Sequence, residues 1–288
     1  MAIVVTGATG HLGGLVVESL LERGVAAGDI LATGRSVEKL AQLAERGVAT
    51  ATLDYDAPAD GVLSAGDVVL LVSGSEPGPG RVQQHQNLID AATRAGVARV
   101  VYTSLLDAPT SEVILAPDHK ATEEALLASG LPITLLRNGW YTENFRPALD
   151  QARATGTVLG STRGGRISAA ARADFAEAAA VVLSQEGHEG AVYELTGDTA
   201  FGLDELAAAF GDVLDAEVVH QDVDAQTHGR LLAEAGLPEG LVGFLVALDQ
   251  NIADGALART SGDLSRLIGR PTAPLSTTVR EWVVPAAA

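Results

Sequence analysis

The segment Thr6-Gly7-Ala8-Thr9-Gly10-His11-Leu12-Gly13 constrains this chain more than any other. It lies between the apolar run Ala2 to Val5 and a stretch whose apolar positions, Leu12, Val16, Val17, Leu20 and Leu21, recur at helical spacing. A strand that turns through glycines into a helix is the dinucleotide-binding arrangement. Gly7 permits the tight turn, Gly10 lets the backbone approach a pyrophosphate, and Gly13 lets helix and strand pack closely. The first helical N–H groups, with Ala8, Thr9, His11 and Leu12 around them, would then face the phosphates.

Downstream, short β-branched runs alternate with helical segments, the pattern of right-handed crossovers in a parallel sheet. Strands are expected over 2–6, 29–34, 48–53, 67–73, 99–104 and 132–136, with helices over 11–23, 37–46, 81–95 and 118–129. Gly96 and Gly130 close the last two helices. Beyond Pro132 the rhythm loosens: short strands are expected at 157–159, 166–168 and 191–195 and one near 217–222, with helices over 173–183, 203–214, 225–235, 240–253, 262–268 and 276–283. The fold expected is α/β, a Rossmann-type doubly wound parallel sheet with a smaller, mainly helical C-terminal lobe. Residues 1–150 form the nucleotide-binding domain, with 166–196 packing back onto it; 151–165 and 197–288 form the lobe.

The carboxyl ends of these strands are where an open α/β sheet binds its ligand. After the second strand stands Arg35, where an NAD-specific protein carries an acid; a guanidinium there suits the 2′-phosphate of NADP(H), the alternative being an unliganded surface Arg. Asp54 follows the third strand within reach of an adenine edge, and Ser73, Gly74 and Ser75 follow the fourth under the adenosine ribose; all are also ordinary loop residues.

A net charge of −18 disfavours nucleic acid and anionic membrane as partners. With 47% hydrophobic residues the chain is globular, and the absence of cysteine excludes disulfides and thiolate chemistry. The histidines show no metal-ligand spacing, so no metal is expected, and His85 reads as solvated on the polar face Gln83-Gln84-His85-Gln86-Asn87. The opening strand leaves no room for a leader peptide, and no apolar stretch is long enough to span a membrane, which together point to the cytoplasm. Whether two copies pair as a homodimer stays open.

Val101-Tyr102-Thr103-Ser104-Leu105-Leu106 and Leu135-Leu136-Arg137-Asn138-Gly139-Trp140-Tyr141-Thr142-Glu143-Asn144 resemble the NmrA-like branch of the atypical short-chain dehydrogenases, and within it the bacterial NADPH-dependent quinone oxidoreductases. Gly187 to Gly190, Val192 to Leu195 and Leu267 to Thr272 carry the likeness on, from residue 2 to about residue 280. The resemblance implies that Arg137, Asn138, Gly139, Trp140, Tyr141 and Thr142 lie along the nicotinamide and that Arg172 closes over the site. For Trp140, core packing is the stronger alternative.

Carbonyl-reducing members of that superfamily use a Tyr proton donor with a Lys four residues later. Here His119 falls where the Lys belongs and Leu115 where the Tyr belongs, and Ser104 alone keeps its place. A quinone tolerates this loss: its product anion has an acidity near that of tyrosine, roughly pKa 10, and takes its proton from water. Tyr141, Asn138 and His119 are the candidates to hold the quinone oxygens; His119 could instead contact ribose or cap its helix. The expected activity is two-electron reduction of a quinone, or a similar electron-poor acceptor, by NADPH. The rival reading is a non-catalytic NADP-binding redox sensor.

Overall fold

The computed structural model describes residues 1–283, so the end of the lobe assigned to 197–288 lies outside the described residues. The chain runs β1 (Ile3–Val5), α1 (His11–Glu22), β2 (Ile30–Gly34), α2 (Val37–Ala44), β3 (Ala49–Thr52), β4 (Val68–Leu71), α3 (Pro79–Ala95), β5 (Arg99–Leu105), α4 (Ala116–Ala128) and β6 (Ile133–Asn138). It continues through α5 (Arg146–Thr155), β7 (Thr157–Gly160), α6 (Arg172–Ser184), β8 (Val192–Leu195), α7 (Leu203–Leu214), β9 (Val219–Asp222), α8 (Ala225–Glu234), α9 (Glu239–Ala253), α10 (Asp263–Ile268) and α11 (Leu275–Glu281).

Seven strands form one parallel sheet in the order β3-β2-β1-β4-β5-β6-β8. The chain reverses direction of travel between β1 and β4, and the crevice at that switch is where such a sheet takes its ligand. Both faces are covered, so the central strands are largely apolar, and all of β5 is buried, its polar Arg99, Thr103 and Ser104 included. On one face Val5, Leu70, Val101 and Leu136 pack with Val16 and Leu20 of α1 and with Phe175 and Ala179 of α6. On the other, Val69, Leu71, Tyr102 and Leu135 pack with Leu88 and Ile89 of α3 and Leu126 of α4. A separate apolar cluster unites Trp140, Leu149, Val158, Phe201, Phe210, Leu248 and Ile252 above the sheet, beside the small parallel pair β7 and β9.

The structure corrects the expected course at two places. The strand expected at 166–168 is a single antiparallel bridge between Ile167 and Phe201, because Ser168 turns its N–H to the Leu257 carbonyl at 2.8 Å and no ladder can extend. Helix α5 was not expected; its polar sequence has few apolar positions, and it forms by burying Leu149 and Ala152 against that cluster. Among the described residues no helix is long and apolar enough to cross a membrane.

Candidate functional site

The glycine loop has the shape its spacing requires. Gly7 adopts φ +61°, a left-handed conformation, and its carbonyl accepts the Gly10 N–H at 2.9 Å. A Cβ on Gly13 would stand 2.3 Å from that carbonyl oxygen, so only glycine lets α1 seat against the turn. At its N-terminus α1 has no side-chain cap, since Gly10 is the cap position, and no acidic residue in its first turn. The helix therefore presents N–H groups and the positive end of its dipole with no internal counter-charge, and the cradle fits a pyrophosphate. Thr6 behind it is buried; its hydroxyl donates to Leu70 O at 2.7 Å and accepts from Val72 N at 3.0 Å, binding β1 to β4.

Arg35 is exposed at the end of β2, next to Gly34, and among the described residues no acceptor holds its guanidinium. Lys39 joins it: Nζ donates to the Thr9 carbonyl at 3.0 Å, while the Ser36 hydroxyl caps α2 by accepting Lys39 N. Two cations flanking the glycine loop fit a 2′-phosphate. Sequence reading missed Lys39, although it is one of only two lysines and stands one helical turn beyond Arg35. Asp54 lies at the expected strand end, with Oδ1 accepting Asp56 N at 3.1 Å in a local turn.

The loop after β4 is held from behind. Ser73 N donates to Thr103 Oγ1 at 2.9 Å, Gly74 N to His85 Nε2 at 2.9 Å, and Arg81 Nε to Gly74 O at 2.8 Å. Both backbone groups of Gly74 are thus occupied, leaving the side chains of Ser73 and Ser75 for a ligand. His85 is not solvated, as its polar flanks suggested, but fully buried, because its side of α3 faces the rings of Tyr55 and Tyr102. Thr122 Oγ1 donates to Asp118 O at 2.8 Å, so its contact with His85 Nδ1 at 2.9 Å makes Nδ1 the donor and Nε2 the acceptor. Burial, with the nearby Arg81 charge, pushes His85 down to about 4.

At the end of β6, Asn138 Nδ2 donates to the Tyr141 hydroxyl at 3.0 Å. The Tyr141 ring stands edge-on to Phe175, 5.1 Å between centroids, and the Arg172 guanidinium lies 4.9 Å from its centre. Burial raises the Tyr141 pKa, so the phenol keeps its proton at neutral pH. Arg172 also reaches Asn144 Oδ1 at 3.3 Å, and its N–H is held by the Glu143 carboxylate. Gly139 N and Thr142 N are committed to Leu195 O and Ala170 O, which fixes the backbone of this turn. Trp140 is buried in the upper cluster, and among the described residues neither its Nε1 nor Asn138 Oδ1 has a hydrogen-bond partner.

Three expected site residues are engaged elsewhere. The Arg137 guanidinium is bidentate to Glu123, at 2.9 and 2.7 Å, and bonds Glu194 at 2.8 Å, so its donors face two carboxylates. The Ser104 hydroxyl donates to Glu123. His119 is neither a helix cap nor an acid: α4 starts earlier, at Ala116, and the ring is buried with Nδ1 2.9 Å from the Tyr102 hydroxyl. Burial, aided by the Arg81 charge, pushes His119 down to about 3, so it is neutral near pH 7.

Two buried neutral histidines make the fold acid-sensitive. The unfolded chain takes up these protons near 6.5 and the folded one only near 4 and 3, so their contribution to stability is complete above pH 6.5 and is lost as pH falls towards those values. Each histidine costs about 2 kcal/mol by pH 5. Urea midpoints at pH 7 and pH 5 should differ accordingly, and His119→Gln should roughly halve the slope. A flat profile would mean that the rings are charged in the fold.

The sequence signature of the family described as NAD(P)H-binding matches residues 7–186. Quinone oxidoreductase 2 of Escherichia coli (strain K12) is 43% identical over 279 residues, covering 96% of this chain and 97% of that protein. An NmrA-like family domain-containing oxidoreductase of Aspergillus flavus is 31% identical over 298 residues, with 99% and 95% covered. Among solved structures, the NADPH-dependent quinone oxidoreductase of Escherichia coli complexed with NADPH aligns with a TM-score of 0.91 at 41% identity, over 97% of this chain and 99% of that one.

Proposed function

Because the chain belongs to the NmrA-like, NAD(P)H-binding family, we propose that it is an NADPH-dependent enzyme that reduces quinones by two-electron hydride transfer. The observation that carries this reading is the nicotinamide end of the site. It has a polar edge of Asn138 and Tyr141 and an aromatic floor, and neither Leu115 nor the neutral His119 can act as a strong acid there.

NADPH, when bound, supplies the hydride. The chain's own residues bind and orient: the α1 N-terminus takes the pyrophosphate, Arg35 and Lys39 the 2′-phosphate, and Ser73 and Ser75 the adenosine side. Asn138 donates to the Tyr141 hydroxyl, which directs the phenolic proton outward to a quinone oxygen. Arg172 over the ring holds that phenol in place. The product anion then takes its proton from water. Residues 1–150 with 166–196 serve as the cofactor-binding unit, which the place of β8 in the sheet supports, and 151–165 with 197–288 as the lobe over the acceptor. The −18 charge supports a small-molecule substrate over nucleic acid or an anionic membrane surface.

Steady-state oxidation of NADPH, followed optically with and without benzoquinone, tests the reading. Turnover should rise with quinone and fall by about tenfold in Tyr141→Phe, which loses one hydrogen bond to the acceptor. Tight NADPH binding with no turnover on any quinone would return the sensor reading.

A further inference from the structure

Residues 106–115 join β5 to α4 at the carboxyl edge of the sheet and end on Leu115, at the place of the superfamily's Tyr donor. The segment starts against the acceptor end of the site: Leu106 N donates to the Asn138 carbonyl at 2.9 Å, and the Asn138 side chain holds Tyr141. Ala108 and Val113 pack in the cluster that contains Trp140, and Leu115 lies partly buried against it. The first half of the segment is braced around Asp107, at φ +52°. The Asp107 carbonyl accepts Thr110 N and Ser111 N at 2.9 and 2.8 Å, its N–H donates to Glu194 at 2.8 Å, and its carboxylate meets Arg259.

The second half is held from far away in the chain. Asn251, in the last turn of α9, accepts the Ile114 N–H with Oδ1 at 3.1 Å and donates from Nδ2 to the Glu112 carbonyl at 3.0 Å. A primary amide pairs with a backbone edge in this way because it offers one acceptor and one donor side by side. Neither an aspartate nor a leucine makes both bonds. The two preceding residues fix α9 itself: Asp249 Oδ2 accepts Ser161 N at 2.7 Å, and Gln250 Nε2 donates to Ser161 O at 3.2 Å. Between the clamped groups Val113 turns inward and is buried, while Ile114 stays 43% exposed next to Leu115. Both side chains are apolar and carry no proton to give.

We infer that residues 112–115 form an outer wall of the acceptor slot, with Ile114 and Leu115 as its apolar surface, and that Asn251 is the positioning residue that sets this wall against the Asn138–Tyr141 edge. This rests on the quinone-reductase reading above. A wall fixed before the acceptor arrives lowers the ordering cost of binding. That gain is equal in the ground state and the transition state, so it belongs to KM rather than kcat.

Asn251→Leu removes both bonds with a side chain of similar size. In the NADP⁺-loaded protein, peptides that span Ile114 should exchange their amide hydrogens at least about tenfold faster, with α9 and β7 unchanged. With benzoquinone, KM should rise about tenfold, kcat should fall by less than about threefold, and the NADPH dissociation constant should change by less than about twofold. Asn251→Asp keeps the acceptor for Ile114 and sets a carboxylate oxygen against the Glu112 carbonyl, so KM should rise here too; this variant decides the matter if Asn251→Leu loosens α9. Faster exchange at Ile114 with an unchanged KM would overturn the proposal, because the segment would then be a tethered loop away from the acceptor. Unchanged exchange would overturn it as well, as would equal losses of kcat and NADPH affinity, which mark a general defect of the lobe. Should the wild type turn over no quinone, 1-naphthol titrated calorimetrically into the NADP⁺-loaded protein takes its place. Weaker naphthol binding in both variants would support the wall and remove only the quinone as acceptor, and unchanged binding would overturn the wall.

Discussion

Replacing Arg35 by Glu is expected to weaken NADPH binding by about 2–4 kcal/mol while NADH binding changes little, enough to erase or invert the cofactor preference. The substitution removes a guanidinium that no acceptor among the described residues holds and sets a carboxylate against the 2′-phosphate, in a corner where Lys39 is another cation. Lys39→Ala should have a smaller effect, because Lys39 already donates to the Thr9 carbonyl and its charge is only partly available. Dissociation constants for both cofactors, measured by fluorescence for each variant, give the comparison. Parallel losses for NADPH and NADH in Arg35→Glu would show that the phosphate lies elsewhere.

The parts of the molecule that could be read from sequence are those whose causes are local. A parallel strand covered on both faces is mostly apolar, so β1 and β4 announce themselves. The glycine loop is legible for the same reason, since the steric demand at Gly7 and Gly13 is set within a few residues. Arg35 was readable because its meaning comes from its place at a strand end.

What failed depended on partners distant in the chain. The polar flanks of His85 suggested solvent, yet its surroundings are Tyr55, Tyr102 and Thr122, brought together by the loop after β3, by β5 and by α4. His119 took its place from alignment alone, and it lies buried with Nδ1 on the Tyr102 hydroxyl instead of capping its helix. Arg81 gave no signal, because nothing in sequence tells a buried arginine from a surface one in a first helical turn. Helix α5 was lost because its stability comes from packing on the upper cluster rather than from its own pattern.

Arg137 shows how strand register decides such cases, and its removal should affect stability more than chemistry. The ladder sets Arg137 beside Ser104 on β5 and beside Glu194 on β8, and α4 supplies Glu123 from above. The Glu123 side chain is 4% exposed and that of Glu194 15%, and the two carboxylates share the Arg137 guanidinium as counter-charge. Glu194 passes the link outward, since its second oxygen accepts the Asp107 N–H at 2.8 Å. Arg137→Ala would leave two poorly solvated carboxylates facing each other, at an expected cost of about 3–5 kcal/mol at neutral pH. Those carboxylates would bind protons more readily than in the unfolded chain, so part of the loss should be recovered as pH falls towards 5. Arg137→Met combined with Glu123→Gln should be milder than Arg137→Ala, because it removes charge and counter-charge together. Urea unfolding of the three proteins at pH 7 and pH 5 measures these differences. If Arg137→Ala keeps its stability but loses NADPH affinity, the guanidinium is a cofactor ligand after all, and the Glu123–Arg137–Glu194 bridge is incidental.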